Sequence, residues 1–370
     1  MSAWEAVVVG GGPGGSTAAW RLARAGRRVL LLDAARFPRV KLCAGWVTKR
    51  VMADLELDPA SYPHTLQPFE AVYVGYDGTL AETRWEEPAS YGIIRKEFDT
   101  FLLRRAEAAG ACVREGVRVR AVEAGSEGVR IETGEEAFEA QVAIGAGGHT
   151  CPVARALGGV SENESVVLTQ ESETFVGEER LRAVAPHYGL PELFAEPDFK
   201  GYAWYFTKGG FLNIGVGCVG KRPGVHERRD VLLTRLRRTG RLPGGVELTP
   251  FKGHAYSVRR CDVRRVAGER FVLVGDSAGL ARDFSGEGIG PAVRSACLAA
   301  EAVADWLAGR ASLAAYAQRI EALYGSGGKG WAGRMAGLLP EGVVRAVAKA
   351  ICGNAWLRRR LVLEGAFGIG

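Results

Sequence analysis

Gly10-Gly11-Gly12-Pro13-Gly14-Gly15 follows directly on the apolar run 4–9, and Asp33 closes a second apolar run, Val29–Leu32. Residues of these types at this spacing can hold a dinucleotide. Gly10 allows a tight turn after a strand, Gly12 lets the backbone approach a pyrophosphate, and Gly15 lets a helix pack close to the sheet. Pro13 and Gly14 complete the phosphate loop. A helix over Ser16–Ala25 offers its N-terminal N–H groups and dipole to the phosphates, and Gly26 stops it. An acid at Asp33 accepts ribose hydroxyls and repels a 2′-phosphate, so the adenosine carries free hydroxyls, as in FAD or NAD.

A second constellation narrows that choice. Val272-Leu273-Val274-Gly275-Asp276-Ser277-Ala278-Gly279 reads as a strand ending in a turn, followed by Gly286-Glu287-Gly288-Ile289-Gly290 and a long Ala- and Leu-rich helix over Pro291–Leu307. A carboxylate at Asp276 can accept hydrogen bonds from ribityl hydroxyls. A helix N-terminus aimed at the pyrimidine edge of a flavin stabilises the negative charge of the reduced ring. Together the two motifs point to FAD.

The elements that must position these residues follow from the patterning. Short apolar runs beside helical segments imply a doubly wound parallel sheet. We expect its domain in three pieces, 1–60, 96–160 and 260–310. Residues 61–95 and 161–259 should form a mostly antiparallel sheet, and 311–370 should be helical. The alternating runs of Val117–Ile144 read as a hairpin or meander over the FAD domain, with Val119 offering a backbone contact to adenine. Tyr202, Trp204 and Phe206 alternate along a strand and point to one side; by themselves they would serve equally as a core stripe. Trp356–Leu363 reads as a basic amphipathic helix, either packed on the domain or lying on a membrane surface.

Around these motifs the sequence resembles the FAD-dependent oxidoreductases that include aromatic hydroxylases, flavin halogenases and geranylgeranyl reductases. Gly275-Asp276 matches their GD motif, and Gly286-Glu287-Gly288-Ile289 matches their flavin loop. Ile94-Arg95-Lys96-Glu97-Phe98-Asp99 resembles the segment whose arginine touches FAD. Ile144-Gly145-Ala146-Gly147-Gly148 resembles a strand end in which Gly147 replaces the usual alanine or aspartate. Tyr202-Ala203-Trp204-Tyr205-Phe206, followed by Gly215-Val216-Gly217, is similar to the YxWxF signature of the geranylgeranyl reductases, with Thr207 where a proline is usual. Lys41-Leu42-Cys43-Ala44-Gly45-Trp46 resembles their KxCxG segment beside the isoalloxazine.

The resemblance implies an α/β protein: a Rossmann-type FAD-binding domain, an antiparallel-sheet substrate domain and a helical C-terminus. It implies an FAD-dependent reductase of C=C bonds in an apolar, isoprenoid-like substrate. Cys43 and Ala44 would lie against FAD, and Trp46 and Phe206 against substrate. Cys43, Tyr202 or a water would supply a proton, and Trp204 would hold the alkene at the flavin. A monooxygenase working through a flavin hydroperoxide is the alternative, and a flavoprotein electron carrier a third class.

Composition bounds the partners. The formal charge of +6 is spread along the chain, which argues against nucleic acid. No second nucleotide fingerprint appears, so we expect a transient electron donor, NAD(P)H or a ferredoxin-like carrier. The seven cysteines lack CxxC spacing and the five histidines lack ligand spacing, so neither disulfides nor a metal is expected. With no secretory pattern before residue 4, we expect a cytoplasmic protein, with peripheral membrane contact as a further possibility.

Overall fold

The computed structural model describes residues 4–160, 166–196, 201–219, 224–258, 264–325 and 340–369. Five strands, Cys112–Glu115, Val29–Asp33, Trp4–Val9, Ala137–Gly145 and Phe271–Leu273, lie parallel in that order. Consecutive residues such as Val7 and Val8, or Ile144 and its neighbour Ala143, are fully buried. Side chains alternate faces along a strand, so burial of successive residues means that both faces of the sheet are covered. Each such Val or Ile side chain contributes about 1.5–3 kcal/mol.

The strand Ala137–Gly145 has two roles. Ala140–Gly145 pairs parallel with Trp4–Val9, while Ala137–Ala140 pairs antiparallel with Val129–Glu132, which in turn pairs with Ala121–Ala124. The expected meander therefore extends the central sheet through a shared strand; it is not a separate layer above it.

A second sheet of seven strands runs in the order Lys252–Ser257, Val166–Phe175, Phe211–Val219, Gly201–Lys208, Glu192–Ala195, Ala71–Tyr76 and Thr79–Arg84. It is antiparallel except where Glu192–Ala195 meets Ala71–Tyr76. One face packs Ala203, Tyr205, Leu212, Ile214 and Val216 against Leu232 and Leu236 of the helix Val225–Arg238. The opposite face carries Thr169 and Glu171, Asn213 and Gly215, and Tyr202, Trp204 and Phe206. A small antiparallel sheet of Trp46–Thr48, Ser90–Ile93 and Leu66–Phe69 lies beside the loop that precedes Trp46.

Two helices frame the dinucleotide end. The first, Pro13–Arg24, starts three residues before the expected Ser16, because Pro13 takes the first helical position, where no N–H is needed. Gly26 ends it at φ 74°. The second, Ile289–Leu307, begins two residues before the expected Pro291. A Cβ on Gly14 would lie 3.1 Å from the Ala292 carbonyl oxygen, so this glycine sets the close approach of the two helices.

The C-terminal part is helical over Ala314–Tyr324, Glu341–Gly353 and 355–366. The expected basic face at 356–363 is corrected by one residue. Arg358 turns inward, where its guanidinium donates to Thr83 Oγ1 and to the carbonyls of Glu82 and Cys352. Leu363 is buried, Arg359 and Arg360 pair with Glu364, and Trp356 and Leu361 remain exposed. No helix among the described residues is long and apolar enough to cross a membrane. Cys261 lies outside the described residues.

Candidate active site

One continuous cavity of about 1160 Å³ runs from the dinucleotide loop to the inner face of the second sheet. At its first end, Gly10 has φ 111°, and a Cβ there would lie 2.4 Å from the Ala146 carbonyl oxygen. A Cβ on Gly15 would lie 1.8 Å from the Gly10 carbonyl oxygen, which is why Gly15 acts by packing and does not itself line the cavity. Gly12 differs. A Cβ there would meet only the Arg39 guanidinium, at 3.5 Å, so its bare side faces open space that a pyrophosphate would occupy. Asp33 reaches the cavity from the end of its strand. Its carboxylate accepts from the N–H of Gly11 at 2.6 Å and of Ala35 at 2.7 Å, and retains lone pairs for ribose hydroxyls.

In the middle stand Gly275, Asp276 and the loop 283–288. Burial raises the Asp276 carboxyl, while Lys41, Arg95, His149 and Arg264 oppose the rise. Gly275 and Gly286 adopt φ 57° and 64°, conformations that favour glycine. A Cβ on Gly286 would lie 1.8 Å from the Tyr256 hydroxyl, whereas one on Gly288 would meet Asp276 Oδ1 at 3.1 Å. Gly286 is therefore the conformationally demanding glycine of this loop, and Gly288 the one that clears space beside Asp276. Gly288 caps the helix that starts at Ile289.

Arg95 opens the helix Arg95–Ala108 and lines the cavity. It binds Asp99 in bidentate fashion at 2.7 and 2.8 Å, and Arg39 reaches the same carboxylate at 3.1 Å. Burial opposes the charge on Arg95, but Asp99 and Cys43 beside it hold its pKa above the usual value. Lys41 Nζ lies 3.1 Å from His254 Nε2. Burial, with Lys41 and Arg95 nearby, lowers His254 to about 3, so its imidazole is neutral. The cations Arg39, Lys41 and Arg95 suit the negative charges of a dinucleotide and of a reduced flavin.

The loop 41–46 closes over the second sheet. Gly45 takes φ 67°, and a Cβ there would lie 2.1 Å from the Ile93 carbonyl oxygen and 2.6 Å from Lys208 Nζ. Lys208, fully buried, donates to the carbonyls of Ala44 and Ile93 at 2.9 Å each and to Glu173 at 2.7 Å. Asn213 Nδ2 donates to the Cys43 carbonyl at 3.3 Å and to Glu173 at 3.2 Å, while its Oδ1 accepts from Trp204 Nε1 at 2.7 Å. The Cys43 N–H donates to Glu171. Burial, with Glu173 alongside, pushes the Glu171 carboxyl up to about 7 against the pull of Lys208, the Cys43 N–H and Arg95.

Tyr202, Trp204 and Phe206 all line the cavity, as their alternation requires. Trp204 lies over Gly215, where a Cβ would come within 2.3 Å of the indole. This gives a steric reason for a glycine at Gly215 beside Tyr202-x-Trp204-x-Phe206. Trp46 packs edge-on against Phe206 at 5.2 Å and near Phe367 at 5.6 Å, which brings the C-terminal segment into the same aromatic wall. The Tyr202 hydroxyl donates to the Ser285 carbonyl, tying the second sheet to the flavin loop.

Of the residues singled out in the sequence, the structure brings Gly10, Gly12, Pro13, Gly14, Asp33, Cys43, Ala44, Trp46, Arg95, Tyr202, Trp204, Phe206, Asp276, Gly286, Gly288 and Ile289 to one cavity. It does not bring Val119 there; Val119 borders a separate hollow with Thr150 and Arg155. Glu171, Lys208, Asn213 and His254 escaped the sequence reading. A signal existed for two of them: Lys208 continues the parity of Tyr202, Trp204 and Phe206, and Glu171 alternates with Thr169 and Glu173.

Residues 3–321 match the FAD binding domain family. The chain is 32% identical to the menaquinone reductase of Mycolicibacterium smegmatis over 80% of this chain and 75% of that one. It is 31% identical to the geranylgeranyl diphosphate reductase of Rhodobacter capsulatus over 82% and 76%. The same fold occurs in a geranylgeranyl bacteriochlorophyll reductase-like protein from Thermoplasma acidophilum, with TM-score 0.79 at 19% identity, covering 98% and 96% of the two chains. The glycine cradle open at Gly12, the acid at Asp33 and the turn at Asp276 fit FAD as the cofactor. With the family match and these relatives, they place this FAD-dependent oxidoreductase in the FAD binding domain family, in its geranylgeranyl reductase branch.

Proposed function

We propose that the protein reduces C=C double bonds of an isoprenoid chain. One observation carries the reading: the dinucleotide cradle and an apolar slot walled by Trp46, Trp204, Phe206 and Phe367 are two ends of one cavity. Relatives named for menaquinone and for geranylgeranyl diphosphate, both prenylated molecules, support it. Reduced FAD supplies the hydride when bound.

The chain's own residues do the rest. Asp33 and the N-terminus of Pro13–Arg24 would hold the adenosine and pyrophosphate, and Asp276 would accept from the ribityl hydroxyls. The N-terminus of Ile289–Leu307, with Lys41 and Arg95, stabilises negative charge on the ring. Cys43 and Ala44, which line the cavity, would form the wall against the ring. Trp204, locked by Asn213, and Phe206 hold the alkene in place and keep water away from it. The electron donor docks transiently, as NAD(P)H or a ferredoxin-like carrier would. Exposed Trp356 and Leu361 near Arg359 and Arg360 would let the protein meet a membrane surface peripherally.

The test is anaerobic. Dithionite-reduced holoprotein is mixed with geranylgeranyl diphosphate or a menaquinone, and products are weighed by mass spectrometry. We expect a mass gain of one hydrogen pair for each double bond reduced, together with flavin reoxidation. A product that gains oxygen, and forms only in air, would replace this reading with a monooxygenase.

A further inference from the structure

We propose that Glu171 is the acid that protonates the alkene carbon opposite the one receiving hydride. The inference rests on the reduction proposed above and deepens it. Three observations place Glu171 for this role. It lines the cavity although only 3% of it is exposed. It accepts the N–H of Cys43, in the loop 41–46 that lines the same cavity. The register pairs Glu171 with Gly215, and Gly215 in turn with Trp204. Cross-strand partners share a face, and Gly215 has no side chain, so the glycine puts no side chain between the strand of Glu171 and the indole that bounds the alkene slot.

Two neighbouring candidates, Tyr202 and His254, are otherwise engaged. The Tyr202 hydroxyl donates its hydrogen bond to the Ser285 carbonyl, and burial, with Cys43, Glu171 and Glu287 nearby, raises its pKa. His254 is neutral beside Lys41. The charged and titratable groups facing Glu171 are Glu173 on its own strand, Lys208 and Tyr202 on Gly201–Lys208, Arg95 on its helix and, across the register on Lys252–Ser257, the exposed Lys252; Cys43 adds a backbone donor. Burial and Glu173 outweigh the cations, so the carboxyl carries a proton up to neutral pH. As hydride adds to one alkene carbon, the electron pair of the C=C bond takes the Glu171 proton at the other carbon, so that no free carbanion forms. The carboxylate left behind is reprotonated from solvent.

The test uses the holoenzyme and Glu171→Gln, which keeps the size and the carbonyl acceptor for the Cys43 N–H. FAD content and reduction by donor should be unchanged. Reoxidation by substrate should slow by about 10²–10⁴-fold, the usual worth of a general acid. In the parent it should fall as pH rises through about 7, and in the variant that limb should be missing. Infrared difference spectra of holoprotein carrying isotope-labelled glutamate give a readout apart from turnover. A protonated carboxyl band should titrate near neutrality in the parent and be absent from Glu171→Gln. If the variant does not hold FAD, this titration in the parent decides: a carboxyl already ionised at mildly acid pH overturns the proposal. Equal reoxidation and equal pH profiles in parent and variant overturn it while leaving alkene reduction intact. A parent that reduces no prenyl double bond overturns both readings.

Discussion

Replacing Lys208 by Met keeps most of the stem volume and removes the ammonium that holds the 41–46 loop. Lys208 is fully buried, and its three bonds run to the carbonyls of Ala44 and Ile93 and to Glu173. Removing one partner of a buried ion pair costs about 3–5 kcal/mol, because the other charge is left uncompensated. Glu173 keeps the Asn213 donor and is 23% exposed, which moves the cost toward the lower end. The two carbonyls add about 1–3 kcal/mol each only if water cannot reach them. We therefore expect Lys208→Met to lose about 3–5 kcal/mol and to release FAD faster, since Ala44 and Gly45 lose their anchor. Equilibrium urea unfolding of Lys208→Met, Glu173→Met and the double variant would measure it. The double variant should be more stable than Lys208→Met alone, because no unpaired charge remains. A single-variant loss below about 1 kcal/mol, or a double-variant loss equal to the sum of the singles, would refute the network as the support of this loop.

Three further outcomes are expected. Gly215→Ala should cost about 1–3 kcal/mol and shift Trp204 fluorescence, since the new methyl would lie 2.3 Å from the indole; an unchanged emission spectrum and melting temperature would show that Trp204 is not seated there. Asp33→Asn should weaken FAD binding by about 1.5–3 kcal/mol, the worth of a hydrogen bond to a charged group, as read by flavin titration of the stripped protein; an unchanged dissociation constant would remove Asp33 from the ribose. Glu171 also links stability to pH. Its folded pKa of about 7 lies above the ordinary 4.5, so the fold favours its protonated form. That contribution is fully present below about pH 4.5 and is lost as pH rises through about 7. At about 1.4 kcal/mol per unit it amounts to about 3 kcal/mol. The stability difference between parent and Glu171→Gln should change by that amount across this window, and parallel curves would contradict it.

The dinucleotide end was legible from the residues alone. Its signals are local: a strand, a bare turn, a helix and an acid within one βαβ unit, where neighbouring residues dictate backbone conformation. The alternation of Tyr202, Trp204 and Phe206 was legible for the same reason, since strand geometry alone sets which residues share a face. The flavin loop was legible only in outline; that Gly286 rather than Gly288 carries the positive φ, and that Tyr256 and Asp276 crowd them, follows from the folded loop. Val119, just before the strand Ala121–Ala124, borders a separate hollow with Thr150 and Arg155, a placement that depends on the fold of the meander. The far end of the site was decided by tertiary structure. The bond from Cys43 to Glu171 spans 128 residues, that from Lys208 to Ala44 spans 164, and that from Asn213 to Cys43 spans 170. Such contacts follow from sheet register and from the docking of one sheet edge on a distant loop. A carboxylate on a strand looks like any surface acid until burial beside Glu173 and Lys208 changes its chemistry.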